Sequence, residues 1–332
     1  MLASLVHTLH PMAIDFGNGF GIRWYGLAYA AGFLAAWLVL RWMATSRRIL
    51  LTPAQVADLM TYLIAGVIIG GRVGHVVFYE PHLLWTFHAD IPFWGLLDIH
   101  KGGMSSHGGI IGTILASMLF ARRIGVPRLH VIDCMAFVSP FGLCFGRLAN
   151  WINGELPGKP LPESMQTLSP WWSVKYPAQV FDGSLDPARI APLAKFVDPA
   201  KSLPEALYDA AYLGRRDVLD ALEPILTAYY PNNFIQAITD GPLLLGAMAI
   251  AWFTPKRPGA IAATFLIAYG VLRVASEQFR EIDSGVFMIG PVTLPMMLSL
   301  AMILSGVTLA VWSSRRTVPV LGGLCRTLAP QK

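Results

Sequence analysis

The sequence predicts an all-α integral membrane protein with seven transmembrane helices and one inserted segment outside the lipid. Three observations predict it. Of 332 residues, 55% are hydrophobic and only 14% charged, and the mean hydropathy is +0.53, a composition that places the chain in lipid rather than in water. Apolar runs recur at close to the roughly 20 residues that a helix needs to cross a hydrocarbon core. Lys and Arg gather in alternate loops, the bias that orients a multi-pass chain.

The seven runs lie near Ile22–Trp42, Val56–Tyr79, His107–Ala121, Val131–Ala149, Asn233–Phe253, Gly259–Arg280 and Val286–Trp312. The third is short and opens on polar residues, so it is expected to be tilted or locally packed. Basic residues follow the first run (Arg41, Arg47, Arg48), the third (Arg122, Arg123, Arg128) and the fifth (Lys256, Arg257), and occupy the tail (Arg315, Arg316, Arg326, Lys332). The short segments on the other face hold Lys101 alone. The N-terminus is therefore expected outside and the C-terminus inside, with the basic residues of the long segment after the fourth run discounted. The net charge of +5 and a sequence pI of about 9.2 read as topology signals and contacts to anionic lipid, and imply no nucleic-acid partner. Cys134, Cys144 and Cys325 have neither paired nor metal-ligand spacing, so no disulfide framework, zinc site or other metal is indicated. The first residues, MLASLVHTLHPMAIDF, lack the charged and apolar regions of a signal peptide.

The organisation expected is a membrane part at 1–158, an external insert at 159–232 and a second membrane part with the cytosolic tail at 233–332. The insert is set apart by its Pro, Asp and Ala content and by helical patches such as PEALYDAAYLGRRDVLDALEPILTAYY. The segment before Arg23 and the segment Glu80–Ser106, with Trp85, Phe87, Phe93 and Trp94, read as elements at headgroup level, where aromatic residues collect. Gly66, Gly70 and Gly74, Gly108 and Gly112, and Gly142 and Gly146 recur at every fourth position, which marks close helix packing and by itself says nothing of chemistry.

Charged and polar residues inside the runs are more informative, because ionisable groups are costly in lipid. In GRLANWINGELPG, Arg147 and Asn150 share a helix face, and Asn153, Gly154, Pro157 and Gly158 predict that the helix ends and the backbone turns sharply. In YGVLRVASEQFREID, Arg273, Glu277 and Arg280 are spaced to share a face, so two readings stand, mutual neutralisation or a binding site. His107 in GGMSSHGGIIG is either a hydrated interfacial side chain or, with glycines that permit close approach, a general base. Tyr25 is a belt aromatic or a headgroup donor. Asp58 and Asp133 read as topology or capping residues. Arginine forks match phosphate oxygens, so a phospholipid headgroup is the cargo that suits the cluster.

RWYGLAY, GGRVGHVVFYE, GGMSSHGGIIG, FGRLANWINGELPG and YGVLRVASEQFRE, in this order, closely resemble the motifs of the bacterial prolipoprotein diacylglyceryl transferase family. The resemblance implies a seven-span enzyme of the bacterial inner membrane, with its insert in the periplasm, that acts in lipoprotein biosynthesis without a cofactor. It implies transfer of the diacylglyceryl group of phosphatidylglycerol to the lipobox cysteine thiol of a prolipoprotein signal peptide, with formation of a thioether and release of glycerol 1-phosphate. Carried over by position, His107, Tyr25, Arg273 and Glu277 are the catalytic candidates. Arg147, Asn150, Asn153, Glu155 and Gly158 are the substrate-binding signature, joined by Gly108, Arg72 and Arg280. Where the family opens its fifth span on an HPSQLYE-like block, this chain has YPNNFIQ, with Ile235 and Gln236 in place of the usual Tyr and Glu. The competing class is a phospholipid-binding transporter without chemistry, which usually carries paired repeats that are not found here.

Overall fold

A computed structural model describes residues 4–10, 12–16, 21–99, 102–181, 183, 185–281, 288–290 and 292–325. Lys101, Arg326 and Lys332, used above for orientation, lie outside the described residues. In chain order the elements are strands β1 (Leu5–Val6), β2 (Met12–Asp15) and β3 (Gly21–Arg23), then helices α1 (Trp24–Thr45), α2 (Pro53–Phe78), α3 (Ser106–Ile124), α4 (Arg128–Ile152) and α5 (Glu163–Gln166). Strand β4 (Val174–Lys175), helices α6 (Pro187–Ile190), α7 (Leu203–Tyr212) and α8 (Arg216–Leu222), and strand β5 (Ala228–Tyr229) follow. The chain closes with α9 (Asn232–Ile238), α10 (Leu244–Ala251), α11 (Ala260–Ser276), β6 (Met288–Ile289), β7 (Val292–Thr293) and α12 (Leu294–Arg315).

The protein is therefore an all-α membrane protein with small sheets added. Among the described residues six helical stretches are long and apolar enough to cross a membrane: α1, α2, α4, α9 continued into α10, α11 with a one-turn extension to Phe279, and α12. Helix α3 has 19 residues but is less apolar, opening on Ser106, His107, Gly108 and Gly109. The last run begins at Leu294 and not at Val286, because Met288–Ile289 and Val292–Thr293 pair as a hairpin around Gly290. Helix α11 ends at Ser276 and Arg280 is extended, so Arg280 leaves the helical face expected from its spacing. Between α9 and α10 the chain makes a π turn, Thr239–Leu243, where Pro242 cannot donate a helical hydrogen bond.

The chain folds into two compact units. One comprises Met1–Gly32, Gly142–Leu243 and Tyr269–Ala301. Here β1 runs parallel to β4, and β4 antiparallel to β5, so the N-terminal segment is built into the insert. The core of the insert gathers Val180, Leu193, Leu207, Ala211, Val218 and Leu222, supplied largely by the apolar faces of α7 and α8. The end of the patch expected to be helical, Ala228–Tyr229, is instead strand β5.

The other unit comprises Phe33–Phe141, Leu244–Ala268 and Met302–Lys332. Helix α2 starts on a reciprocal cap, Gln55 N to Thr52 Oγ1 and Thr52 N to Gln55 Oε1, with Pro53 in the first turn where no donor is needed. Helices α2 and α3 lie antiparallel along a glycine seam. A Cβ added at Gly66 would sit 2.7 Å from Gly112 O, at Gly70 2.4 Å from Gly108 O, and at Gly74 2.6 Å from Gly108 Cα. Asp133, 2% exposed, accepts from Gly259 N at 2.7 Å and Ala262 N at 2.8 Å, which satisfies the opening turn of α11. The capping reading thus holds, and the helix capped is not its own.

Candidate functional site

Helix α4 ends at Ile152, and the chain turns through Gly154 (φ +67) and Leu156 (φ +51), as the Asn and Gly spacing predicts. The turn brings Glu155 back over the helix. Its carboxylate accepts from Tyr25 Oη at 2.6 Å, from Asn150 Nδ2 at 3.4 Å and from Asn153 Nδ2 at 3.4 Å. Asn150 also donates to Tyr25 Oη. Four predicted site residues therefore share one hydrogen-bonded group centred on an exposed carboxylate. Gly158 is needed for a different reason. A Cβ there would lie 2.3 Å from Tyr230 O and 3.0 Å from Phe279 O, so the strand after the turn can pass between the entrance to α9 and the exit of α11 only as glycine. It forms a β-bridge with Arg280.

One turn before Asn150, Arg147 donates through Nε to Asp240 Oδ2 at 3.0 Å. Asp240 is 0% exposed, and its other oxygen accepts from Thr239 Oγ1 at 3.4 Å. Gly241 makes the contact possible, because its missing side chain would overlap Cys144 of α4, with Cβ to Cβ at 2.7 Å. Tyr269 lies close to Arg147 as well. A guanidinium carries five N–H donors. Asp240 uses the inner one, so the outer fork keeps the geometry that phosphate oxygens match. On α11, Arg273 Nη2 and Glu277 Oε2 lie 2.9 Å apart, both nearly buried, which gives the expected pairing on one face, and Arg273 Nη1 has no partner among the described residues.

The YPNNFIQ block is part of this group. Asn233 Nδ2 donates to Glu155 O at 2.8 Å and Asn232 Nδ2 to Leu156 O at 3.2 Å, so the two asparagines hold the signature turn from beneath. Sequence reasoning missed Asp240, Tyr269 and this pair. An acid inside the apolar run FIQAITDGPLLL was the available signal, since a carboxylate at membrane depth needs a partner.

The remaining predicted residues belong to the second unit. Arg72 is 5% exposed and donates to four carbonyls: Leu96 O at 2.7 Å, Gly95 O at 2.6 Å, Gly102 O at 2.9 Å and Gly103 O at 3.2 Å. The structure places it as a clamp on the segment that leads into α3. His107 is exposed in the first turn of α3, with Ser105 Oγ accepting from Gly108 N at 3.3 Å as the cap. Gly108 lies in the seam, where a Cβ would meet Gly70 O at 2.2 Å. Among the described residues no group of three or more His, Cys, Asp or Glu side chains is placed to hold a metal ion.

Residues 11–312 match the prolipoprotein diacylglyceryl transferase family. The chain is 34% identical over 345 residues to a phosphatidylglycerol–prolipoprotein diacylglyceryl transferase of Bdellovibrio bacteriovorus, covering 96% of this chain and 97% of that one. It is 35% identical over 322 residues to the protein of the same name from Rhodospirillum rubrum, covering 95% and 97%, and 35% identical over 318 residues to that of Bradyrhizobium diazoefficiens, covering 93% of each.

Proposed function

The chain belongs to the prolipoprotein diacylglyceryl transferase family, and from that premise we propose that it transfers the diacylglyceryl group of phosphatidylglycerol to the lipobox cysteine thiol of a prolipoprotein. This is the first step of lipoprotein maturation. The chain acts as a multi-pass protein of the bacterial inner membrane, with α3 as a seventh span and residues 159–232 in the periplasm.

The observation that carries the reading is Arg147, held through Nε by the fully buried Asp240 at 3.0 Å. In the reaction the thiol sulfur bonds to the glyceryl carbon that carries the phosphate, and the carbon–oxygen bond breaks with its electron pair left on oxygen. The thiol proton passes to a base, and glycerol 1-phosphate departs. A phosphodiester with one negative charge thus becomes a phosphomonoester with two. A guanidinium already fixed beside the phosphate stabilises the charge that develops, without reorganising at the moment of reaction. Arg273 supplies a second positive charge, steadied by Glu277. Tyr25, Asn150 and Asn153 fix Glu155 and so the turn above the phosphate. His107 takes the thiol proton, since a thiol with an ordinary pKa near 8.5 is a poor nucleophile at neutral pH.

Purified full-length protein given labelled phosphatidylglycerol and a lipobox peptide is expected to form the thioether, whereas a carrier forms none. In the same assay Arg147→Lys should stay nearly inactive, because one ammonium cannot reproduce a fork that is anchored at Nε. His107→Gln should turn over about 10²–10⁴ times more slowly with lipid binding little changed. An active Arg147→Lys enzyme would sink the phosphate clamp.

A further inference from the structure

Large apolar side chains on a surface bathed only by water are normally scattered singly, and residues 163–172 of the insert depart from that rule. Leu168 is 76% and Trp171 65% exposed, and Met165 and Trp172 are exposed in the same short segment. The segment is held in this state. In α5 the side chain of Gln166 donates to Leu161 O at 2.8 Å and Ala228 O at 3.1 Å, and accepts from Ala228 N at 2.9 Å. Further on, Ser173 N and Ser173 Oγ both donate to Pro170 O, at 2.9 and 2.7 Å. They close a four-residue turn with Trp171 and Trp172 at its two central positions. Ser173 and Val174 are then buried as the chain enters β4. Two indoles are thus fixed at the tip of a turn, and apolar surface displayed to water in this way is costly.

What covers the segment follows from where the turn stands. Trp172 stacks on Tyr230 with ring centroids 5.9 Å apart, and Tyr230 meets Phe279 edge-on at 5.5 Å. Phe279 ends one membrane-length helical stretch, and Tyr230 stands just before Asn232, where another begins. The aromatic series therefore runs from the ends of two spans into the insert. Trp and Tyr collect at that level because the ring is apolar while its N–H or O–H is wet. Lys159 stands there too. Its N donates to Phe279 O at 2.9 Å and its O accepts from Tyr230 N at 3.0 Å, which puts a cation on the strand beside the series, as anionic headgroups favour. We propose that Met165, Leu168, Trp171 and Trp172 dip into the leaflet on the insert's side and seat the insert on the bilayer surface. An apolar peptide could also cover exposed indoles, but continuity with the two span ends favours lipid. The seat fixes the strand at Gly158 and Lys159, and with it the turn that carries Glu155, relative to the lipid plane. It requires only that these helices cross the membrane, and it is independent of the transfer reaction.

The test is the depth of a spin label on the full-length protein in nanodiscs of mixed zwitterionic and anionic lipid. A Cys325→Ser parent lacks the exposed native thiol, and in it Leu168→Cys is labelled with a nitroxide. Collisions of the label with oxygen, which concentrates in lipid, are compared with collisions with a nickel chelate, which stays in water. Ala200→Cys, beside the solvated Lys201–Asp209 ion pair, is the aqueous reference, and the parent alone gives the background from Cys144. Oxygen collisions should rise and nickel collisions fall several-fold at 168 relative to 200. Leu168 is exposed, so its replacement removes no interior contact, and Met165→Cys repeats the measurement if the first protein does not fold. Nickel access equal to that at 200 overturns the proposal. So does a label shielded from both reagents, or one shielded from nickel only after an apolar lipobox peptide is added, because either result assigns the surface to protein.

Discussion

Burial pushes the imidazole of His7 below its ordinary pKa of 6.5. The residue is 1% exposed, its Nδ1 lies 3.1 Å from Tyr212 Oη, and its ring packs against Trp151 and Tyr176, while its backbone pairs with Lys175 O. One side chain thus ties the N-terminal strand to the insert and to the helix that carries Arg147. The pH sign follows from linkage. Above pH 6.5 the ring is neutral whether the segment is docked or loose, and nothing changes. As the pH falls through 6.5 the loose form takes up the proton before the docked form does, so docking weakens with acid until the folded pKa is passed. Wild-type protein should accordingly become more sensitive to proteolysis near its N-terminus between pH 7.5 and 5.5, and His7→Phe, which keeps the ring contacts and cannot titrate, should show a flatter response. Equal acid dependence in the two would assign the effect to other groups. His7 was invisible in the sequence for the same reason that Asp240 was: the meaning of each lies in partners far along the chain. Arg147 and Asn150 were legible because local spacing alone puts them on one face at a helix end, and Glu155 through the resemblance of its motif. Arg72 was legible as a buried cation, but not as one whose fork is taken by four carbonyls.

At the scale of elements, apolar length locates the helices, and it fails where apolar residues do something else. Met288–Ile289 and Val292–Thr293 read as the start of a helix and pair as antiparallel strands. Pro242 sits inside a continuous apolar run, and only the structure shows that the run is broken there by a π turn. The glycine pattern, by contrast, anticipates the α2–α3 seam closely, and it gives Gly108 a packing reason to be glycine whatever it does for substrate. The seam makes a graded prediction. A Cβ at Gly112 would stand 2.0 Å from Gly66 O, whereas one at Gly109 finds nothing nearer than Val67 O at 3.8 Å. Gly112→Ala forces the two backbones apart and should cost about 1–3 kcal/mol, the usual range for overpacking, while Gly109→Ala should be close to neutral. Thermal unfolding of the two variants in the same detergent makes the comparison, and equal melting temperatures would mean that the seam does not hold α3 in place.

For the whole molecule, everything turns on whether α3 crosses. Its 19 residues extend about 28 Å at 1.5 Å each, close to the roughly 30 Å of hydrocarbon. Its low apolarity comes from its two ends, the Ser106–Gly109 opening and the closing Arg122 and Arg123. Such ends are at home in the two interfaces, and the arginines fit the inner one. Antiparallel packing along Gly66–Gly74 of α2, itself apolar and long enough to span, leaves α3 at the same depth. If α3 crosses, the loop at Gly125 is cytosolic, α4 rises from Arg128, and Arg147, 19 residues later, reaches the outer leaflet, where the thiol of a translocated prolipoprotein presents itself. If α3 does not cross, Gly125 is external, α4 runs the other way and Arg147 faces the wrong side for that thiol. A reporter enzyme active only outside the cytosol, inserted after Gly125, separates the two: it should be silent there and active when inserted after Gly214, in the exposed turn between α7 and α8. Activity after Gly125 with silence after Gly214 would leave six crossings, bring the two termini to the same side and remove the phosphate site from the leaflet that the reaction requires.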